Sequence, residues 1–254
     1  MMNRVILLML LAIAVLNPVA MAEGEWDTEP VAAAVDVALD PGHSDADVGA
    51  ARGGLRETDL TLRLAFMVRE ELAGHGLSVT MTREDGNPLT DLWTYGGLDA
   101  VRREQEARIA AAGRVRAYVS LHFNGHPDPR VRGAEVYYNG DNHGDESILL
   151  GRLIHESVLE VVRGTGYPLQ DRGVKEDLWA GKPYGHFFSL RGDLPSVLVE
   201  PMFLSNPEEA TLLAEEELLP TLAGGIARGI VAFLSQGPAG IDRALGQEQP
   251  DITW

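Results

Sequence analysis

The chain has 254 residues, of which 45% are hydrophobic and 23% are charged, values typical of a globular protein rather than a largely disordered one. Its length suits one sizeable domain rather than two. Acidic residues outnumber basic residues by 38 to 21, which gives a formal net charge of −17. This charge disfavours nucleic acid as a partner, because the counterion release that drives such binding needs a basic surface, and it also disfavours adhesion to anionic lipid.

The first 22 residues have the pattern of an export signal. A short positive start is followed by an apolar run over residues 5–16, and the small residues Ala20 and Ala22 stand where a signal peptidase reads. We expect cleavage after Ala22, export to the periplasm or the exterior, and no stable membrane anchor afterwards. A retained anchor is the alternative. The chain has no cysteine, so any metal site must use histidine and carboxylate side chains.

Apolar patterning divides the rest of the chain into alternating strands and helices. Predicted strands cover residues 32–39, 77–82, 115–121, 133–138, 187–190 and 196–199. Predicted helices cover residues 58–72, 99–112, 146–162 and a stretch from 207 through 222 to 234. We interpret residues 167–185 as irregular, residues 23–236 as one domain and residues 237–254 as a flexible tail. The alternation predicts a single-domain α/β fold, with a mostly parallel twisted sheet and helices on both faces.

Three residues with chemically useful side chains follow predicted strands. His43, His122 and Glu200 each lie within four residues of a strand end. In sheets of this kind, ligands bind beyond the carboxyl ends of the strands. We therefore expect these three side chains to meet at one edge of the sheet.

Two imidazoles and one carboxylate are a common ligand set for catalytic zinc, and they leave a fourth position for water. Glu57, between a glycine-rich loop and a predicted helix start, is a carboxylate that could join His43 and His122. The spacing alone is weak evidence, because a chain with 7 histidines and 38 acidic residues contains many such triples. Calcium at Asp45 and Asp47 is a weaker alternative, since two carboxylates are too few ligands for that ion.

Several ordered motifs extend over nearly the whole chain after the signal. They are Asp40-Pro41-Gly42-His43 with Glu57, then residues 119–124 (VSLHFN), 133–138 (GAEVYY), 172–175 (RGVK) and 198–206 (LVEPMFLSN). Together, over about residues 34–235, they resemble the zinc-dependent N-acetylmuramoyl-L-alanine amidases of the type with an α/β catalytic domain. Ser44-Asp45 departs from the two glycines that this family usually has beside the first histidine, which affects the expected tightness of that loop.

The resemblance implies a zinc ion held by His43, Glu57 and His122, with Glu200 as the catalytic general base. The implied reaction is hydrolysis of the amide bond between N-acetylmuramic acid and L-alanine in bacterial peptidoglycan. A zinc peptidase of the stem peptide and a catalytically silent wall-binding protein are the alternatives. The four intact residues argue against the silent protein. Any activator protein is unknown.

Three further polar residues are expected near the substrate. Asn124 follows the second histidine motif and is expected at the edge of the site. Arg172 and Lys175 are the local basic groups best suited to hold a substrate carboxylate. Some members of the resembled family carry an inserted helix that blocks the site until a partner removes it. Residues 139–170 are long enough for only one helix and show no extra segment, so we expect an open site.

Overall fold

The structure, a computed structural model, describes residues 35–92 and 96–246, and for residues 237–246 it describes the backbone alone. The export signal predicted for residues 1–22 lies outside the described residues. So does the end of the predicted tail, residues 247–254.

Within the described residues, six strands form one sheet and two short strands form a hairpin. The strands are β1 (Val35–Pro41), β2 (Ala51–Arg52), β3 (Leu55–Arg56), β4 (Val79–Met81), β5 (Val115–Leu121), β6 (Ala134–Tyr138), β7 (Asp171–Glu176) and β8 (Ser196–Glu200). The helices are α1 (Glu57–Gly74), α2 (Leu98–Ala112), α3 (Gly144–Gly164), α4 (Pro207–Leu213) and α5 (Leu218–Gly246). Two short 3-10 helices cover Asp177–Ala180 and Phe188–Leu190.

The sheet has the order β4-β1-β5-β8-β6-β7. The first four strands are mutually parallel, β6 runs antiparallel to β8, and β7 is parallel to β6. Leu121 of β5 pairs with Pro41 of β1 and with Val199 of β8, so the carboxyl ends of these three strands lie side by side. The predicted α/β fold class, a single domain with a mostly parallel sheet, is confirmed.

Both faces of the sheet are covered, because successive side chains of a strand point to opposite faces. In β1, Val37 and Leu39 join the large hydrophobic core, which α1, α3 and α5 complete on one face. Ala38, between them, points to the other face and packs with Tyr118 and with Ala112 of α2. The helices are thus distributed over both faces, as the alternating pattern predicts.

Helix α5 is the most apolar part of the described chain. By length and composition alone, its segment Leu218–Gln236 could cross a membrane. In the fold this segment packs against α1 and α3, and Ile226 and Ile230 are fully buried. A Cβ atom at Gly229 would lie only 2.4 Å from the Cα of Ile154, so the glycine allows α5 to approach α3 closely. The apolar composition is therefore that of a core helix.

Three segments differ from the sequence-based expectation. The region 167–185, interpreted as irregular, contains β7, an edge strand whose polar sequence DRGVKE has no apolar alternation. The short apolar run 187–190, predicted as a strand, instead forms a buried 3-10 helix; so short a run carries too few residues to distinguish the two. Helix α5 continues through Gly237 and Pro238 to Gly246, beyond the boundary expected at residue 236. The flexibility of the remaining tail stays a prediction.

A buried ion network joins α2 to the carboxyl end of β1. The Arg108 guanidinium pairs with Asp40 at 3.1 Å and with Glu104 at 3.0 Å, and all three side chains are at most 2% exposed. Arg108 also donates hydrogen bonds to the carbonyl oxygens of Pro41, at 2.6 Å, and His43, at 2.5 Å. The network therefore fixes the backbone just where the first predicted metal ligand begins.

We expect Arg108→Met to lower the free energy of unfolding by about 3–5 kcal/mol, because two buried carboxylates lose their cation. Urea unfolding of the variant measures this loss. Arg102→Met, on the same helix, is the matched control, since Arg102 pairs with Glu106 at the surface and its loss should cost less than about 1 kcal/mol. Equal losses in the two variants would contradict the assigned importance of the buried network.

Candidate functional site

The fold brings His43, Glu57 and His122 together at the carboxyl edge of the sheet. His43 follows β1, His122 follows β5, and Glu57 is the first residue of α1. Oxygen Oε1 of Glu57 lies 3.1 Å from Nε2 of His43 and 3.0 Å from Nδ1 of His122. One nitrogen or oxygen atom from each residue lies within 4.8 Å of the others, so the three could hold a metal ion. His43 and His122 meet as the strand ends predict, and Glu57 joins them from the start of α1.

Glu57 is fixed by backbone donors as well as by the imidazoles. Its Oε2 accepts a hydrogen bond from the Ala50 amide at 2.7 Å, and its Oε1 accepts one from the Phe123 amide at 3.0 Å. Burial alone would raise the pKa of Glu57, but hydrogen bonds from His122 and His43 and their charges outweigh it and lower the pKa. The carboxylate is therefore held ionised, at the favourable N-terminal end of α1.

His43 is held in an unusual backbone conformation. Its φ of 64° lies in the left-handed region, which residues other than glycine seldom adopt. Ring atom Nδ1 lies 3.2 Å from Oδ2 of Asp47, which leaves Nε2 facing Glu57. Burial would lower the pKa of His43, but the hydrogen bonds with Asp47 and Glu57 raise it to about 9. Asp47 therefore orients the ring of His43.

Two glycines leave room for the cluster. A Cβ atom at Gly42 would lie 2.4 Å from ring atoms of His122. A Cβ atom at Gly49 would lie 2.4 Å from Oε2 of Glu57 and 2.7 Å from the ring of His43. Gly49 also has a φ of 68°, a conformation that side chains disfavour. The three grouped side chains can pack this closely because both positions lack a side chain.

Glu200, the last residue of β8, lines the same cavity as the cluster. Its Oε2 atom is buried and has no hydrogen-bond partner within the described part of the protein. Burial, followed by the charges of Glu57 and Glu135, raises the pKa of Glu200 well above its usual value. A carboxyl group with a raised pKa in a cavity is suited to accept and return a proton near neutral pH.

The cavity has a volume of about 300 Å³ and is walled on one side by the segment that follows β7. The sequence did not predict that this segment lies beside the cluster, because residues 177–186 carry no periodic pattern and no motif. Val101 and Gln105 of α2 also line the cavity. The wall consists of one cation and four mostly apolar or small side chains, namely Lys182, Tyr184, Phe187, Phe188 and Ser189.

The three predicted substrate-contact residues all bind the buried carboxylate of Glu135. Asn124 donates to its Oε1 at 2.6 Å, while Arg172 and Lys175 donate to its Oε2 at 2.6 and 2.7 Å. Of these three, Asn124 lines the cavity, whereas Arg172 and Lys175 are not among the lining residues. A substrate contact by any of them stays a prediction, and the two cations already have a carboxylate partner.

His186 belongs to the wall segment but is not among the residues that line the cavity. Its Nδ1 lies 2.5 Å from Asp177 and its Nε2 lies 3.1 Å from Asp141. Burial would lower the pKa of His186, but these two carboxylates raise it. Asp177, fully buried, also accepts a hydrogen bond from the Phe187 amide at 2.7 Å, so this group fixes the wall from behind.

Helix α3 does not cover the site. It packs against α5 and against strands β6, β7 and β8, and none of its residues lines the cavity. The side chains of His43 and His122 remain 20% and 15% exposed among the described residues. The open site expected from the sequence agrees with this arrangement.

The fold and the site define an α/β domain with a His-Glu-His cluster and a free buried glutamate at the edge of its sheet, an arrangement used by metal-dependent hydrolases. A family model described as N-acetylmuramoyl-L-alanine amidase matches residues 37–232. The chain belongs to the N-acetylmuramoyl-L-alanine amidase family. The resemblance and the enzyme class inferred from the sequence motifs are thereby confirmed.

Relatives with known names support the assignment over most of the chain. The germination-specific N-acetylmuramoyl-L-alanine amidase of Bacillus subtilis is 30% identical over 200 residues, which cover 78% of this chain and 79% of the relative. The catalytic domain of CwlV, an amidase of Bacillus (Paenibacillus) polymyxa, is 27% identical with a TM-score of 0.63, covering 79% of this chain and 98% of that one. The CwlD amidase of Clostridioides difficile, solved in complex with the GerS lipoprotein, is 27% identical with a TM-score of 0.62 and the same coverages.

We expect Gly49→Ala to weaken the binding of divalent metal by ~10-fold or more, because the added methyl group displaces Glu57 and His43. Titration against a chromophoric chelator measures this affinity. Gly53→Ala is the matched control: Gly53 also has a positive φ, 58°, but a Cβ atom there meets nothing within 4 Å. It carries backbone strain of about 1 kcal/mol without contact to the cluster. Equal metal affinities in the two variants would show that Gly49 does not shape the site.

Proposed function

We propose that the protein hydrolyses the amide bond between N-acetylmuramic acid and L-alanine in peptidoglycan, with zinc held by His43, Glu57 and His122 and with Glu200 as the general base. The observation that carries this proposal is the His-Glu-His cluster sharing one cavity with a buried, unpartnered glutamate, in a chain of this family.

The donor set fits zinc. Two imidazole nitrogens and one carboxylate oxygen are the ligands of many catalytic zinc sites, and the Asp47 carboxylate behind His43 is the kind of outer partner that such sites have. When bound, zinc would lower the pKa of a water molecule to roughly 7 and polarise the scissile carbonyl. The chain's own contribution is to hold Glu57 ionised and to keep Nε2 of His43 facing it.

Glu200 supplies the proton transfer. Its buried Oε2 has no hydrogen-bond partner among the described residues and can accept the proton of the attacking water, then deliver it to the leaving nitrogen of L-alanine. The raised pKa makes the Glu200 carboxylate a stronger base toward the attacking water, and the carboxylic acid that then forms can donate the proton to the leaving nitrogen. No covalent intermediate with the protein is needed.

The expected location and partners follow from the substrate. Peptidoglycan lies outside the cytoplasm, and the export signal predicted for residues 1–22 would carry the protein to the periplasm or the exterior. CwlD forms a complex with a lipoprotein. In this chain the described residues leave the cavity open, and any activator protein is unknown.

Removal of zinc should abolish hydrolysis. We expect about one zinc per chain by elemental analysis, complete loss of peptidoglycan hydrolysis after dialysis against a chelator, and recovery when zinc is returned. Full activity of protein shown to be metal-free would contradict the proposed cofactor.

Glu200→Gln should lower kcat by roughly 10²–10⁴-fold while leaving zinc content unchanged, because the amide cannot accept the proton. Mass spectrometry of digested peptidoglycan identifies the products: free stem peptides that begin with L-alanine are expected from the unaltered protein. Glu208→Gln, which alters an exposed acid paired with Arg132, is the control and should retain activity. Shortened stems still attached to the sugar would instead indicate a zinc peptidase of the stem peptide.

A further inference from the structure

One basic side chain in the cavity has no partner. Lys182 is the only lysine or arginine among the described lining residues, and it is exposed there. The described structure gives its ammonium group neither a hydrogen bond nor an ion pair. The lining also contains the acids Asp47, Glu57 and Glu200 and the two histidines of the cluster. A basic side chain without a partner is unusual in a chain of net charge −17, where acidic residues outnumber basic ones.

The segment that carries Lys182 is fixed rather than loose. The Lys182 carbonyl accepts a hydrogen bond from the Gly185 amide at 3.0 Å. Two residues further on, the Tyr184 carbonyl accepts one from the Arg191 guanidinium at 2.7 Å. The ring of Tyr184 stacks on Phe188 with centroids 4.5 Å apart. The backbone of this segment is therefore held in place, with Lys182 among the residues that line the cavity.

The positive charge of Lys182 affects the pKa of Glu200. It acts to lower the pKa of Glu200, against the larger effect of burial and of the charges of Glu57 and Glu135, which raise it. Lys182 and the proposed proton carrier both line the cavity. A substrate whose scissile amide lies beside Glu200 extends its peptide from the leaving nitrogen, and a stem peptide carries carboxylates within a few bonds of that nitrogen.

We propose that Lys182 is a specificity-determining residue that binds a carboxylate of the stem peptide on the leaving-group side of the scissile amide. The inference rests on the proposed amidase function and adds the substrate class: stem peptides with a free carboxylate on the residue after L-alanine. The bond is a charge-assisted hydrogen bond inside a partly enclosed cavity, where it is stronger than at an open surface.

The test compares two substrates, N-acetylmuramoyl-L-alanyl-D-glutamate with free carboxylates and the same compound with both carboxylates converted to amides. We expect zinc-loaded protein to favour the free acid about ten-fold or more in kcat/KM. Lys182→Met should lose this preference through a higher KM for the free acid, with kcat and the amidated substrate little affected. Lys182→Arg should keep most of it. Arg63→Met, which removes one exposed charge of α1 away from the cavity lining, should behave as the unaltered protein.

A binding measurement separates this inference from the reaction itself. Calorimetry with Glu200→Gln protein compares the affinities for the two substrates with and without Lys182→Met, and the preference for the free acid should disappear with the lysine. A preference that survives Lys182→Met would overturn the proposal. So would an equal loss on both substrates with a shifted pH profile, which would make Lys182 a counterion of Glu200. If the unaltered protein cleaves neither substrate, the amidase function fails, while the binding comparison still decides the role of Lys182.

Discussion

The site depends on how the turn after β1 satisfies its backbone carbonyls. Two buried arginines do so: Arg108 donates to the carbonyls of Pro41 and His43, and Arg83 donates to those of Pro41 and Gly42. The charge of Arg108 is balanced by Asp40, whose pKa burial would raise but the arginine lowers. Burial and the charge of Arg108 lower the pKa of Arg83 to about 10, so both arginines remain protonated at neutral pH. The turn is thus held from inside the protein, and His43 can keep a left-handed backbone conformation that it would otherwise avoid.

The sequence was informative where chemistry follows regular structure. The sequence predicts that His43, His122 and Glu200 lie close together, because apolar runs mark the strands and parallel strands end at one edge of the sheet. Glu57 could not be selected from spacing, since its place depends on the hairpin β2–β3 turning the chain toward the start of α1. The resemblance carried by the ordered motifs identified Glu57 as the third residue of the cluster.

The remainder escaped prediction because it depends on contacts between distant segments. Strand β7 is specified by pairing with β6 at the sheet edge, and its polar side chains carry no period for a pattern to reveal. Arg172 and Lys175 looked like free cations because their partner, Glu135, is 37 and 40 residues away along the chain. Lys182, in contrast, stands in a segment without a motif, and only the folded wall gives it a position.

The pairing of β6 with β8 explains why Glu200 is available to transfer a proton. Glu135 and Glu200 stand directly opposite each other on antiparallel strands, so two carboxylates compete for the local donors. Glu135 takes Asn124, Tyr137, Arg172 and Lys175, and these partners lower its pKa against the effect of burial. Glu200 is left with an unpartnered oxygen and a raised pKa. Environments that push the pKa values of neighbouring acids apart assign them different roles. Here Glu135 has a structural role, because it binds the two cations of β7. Glu200 does not bind these cations and can therefore accept a proton.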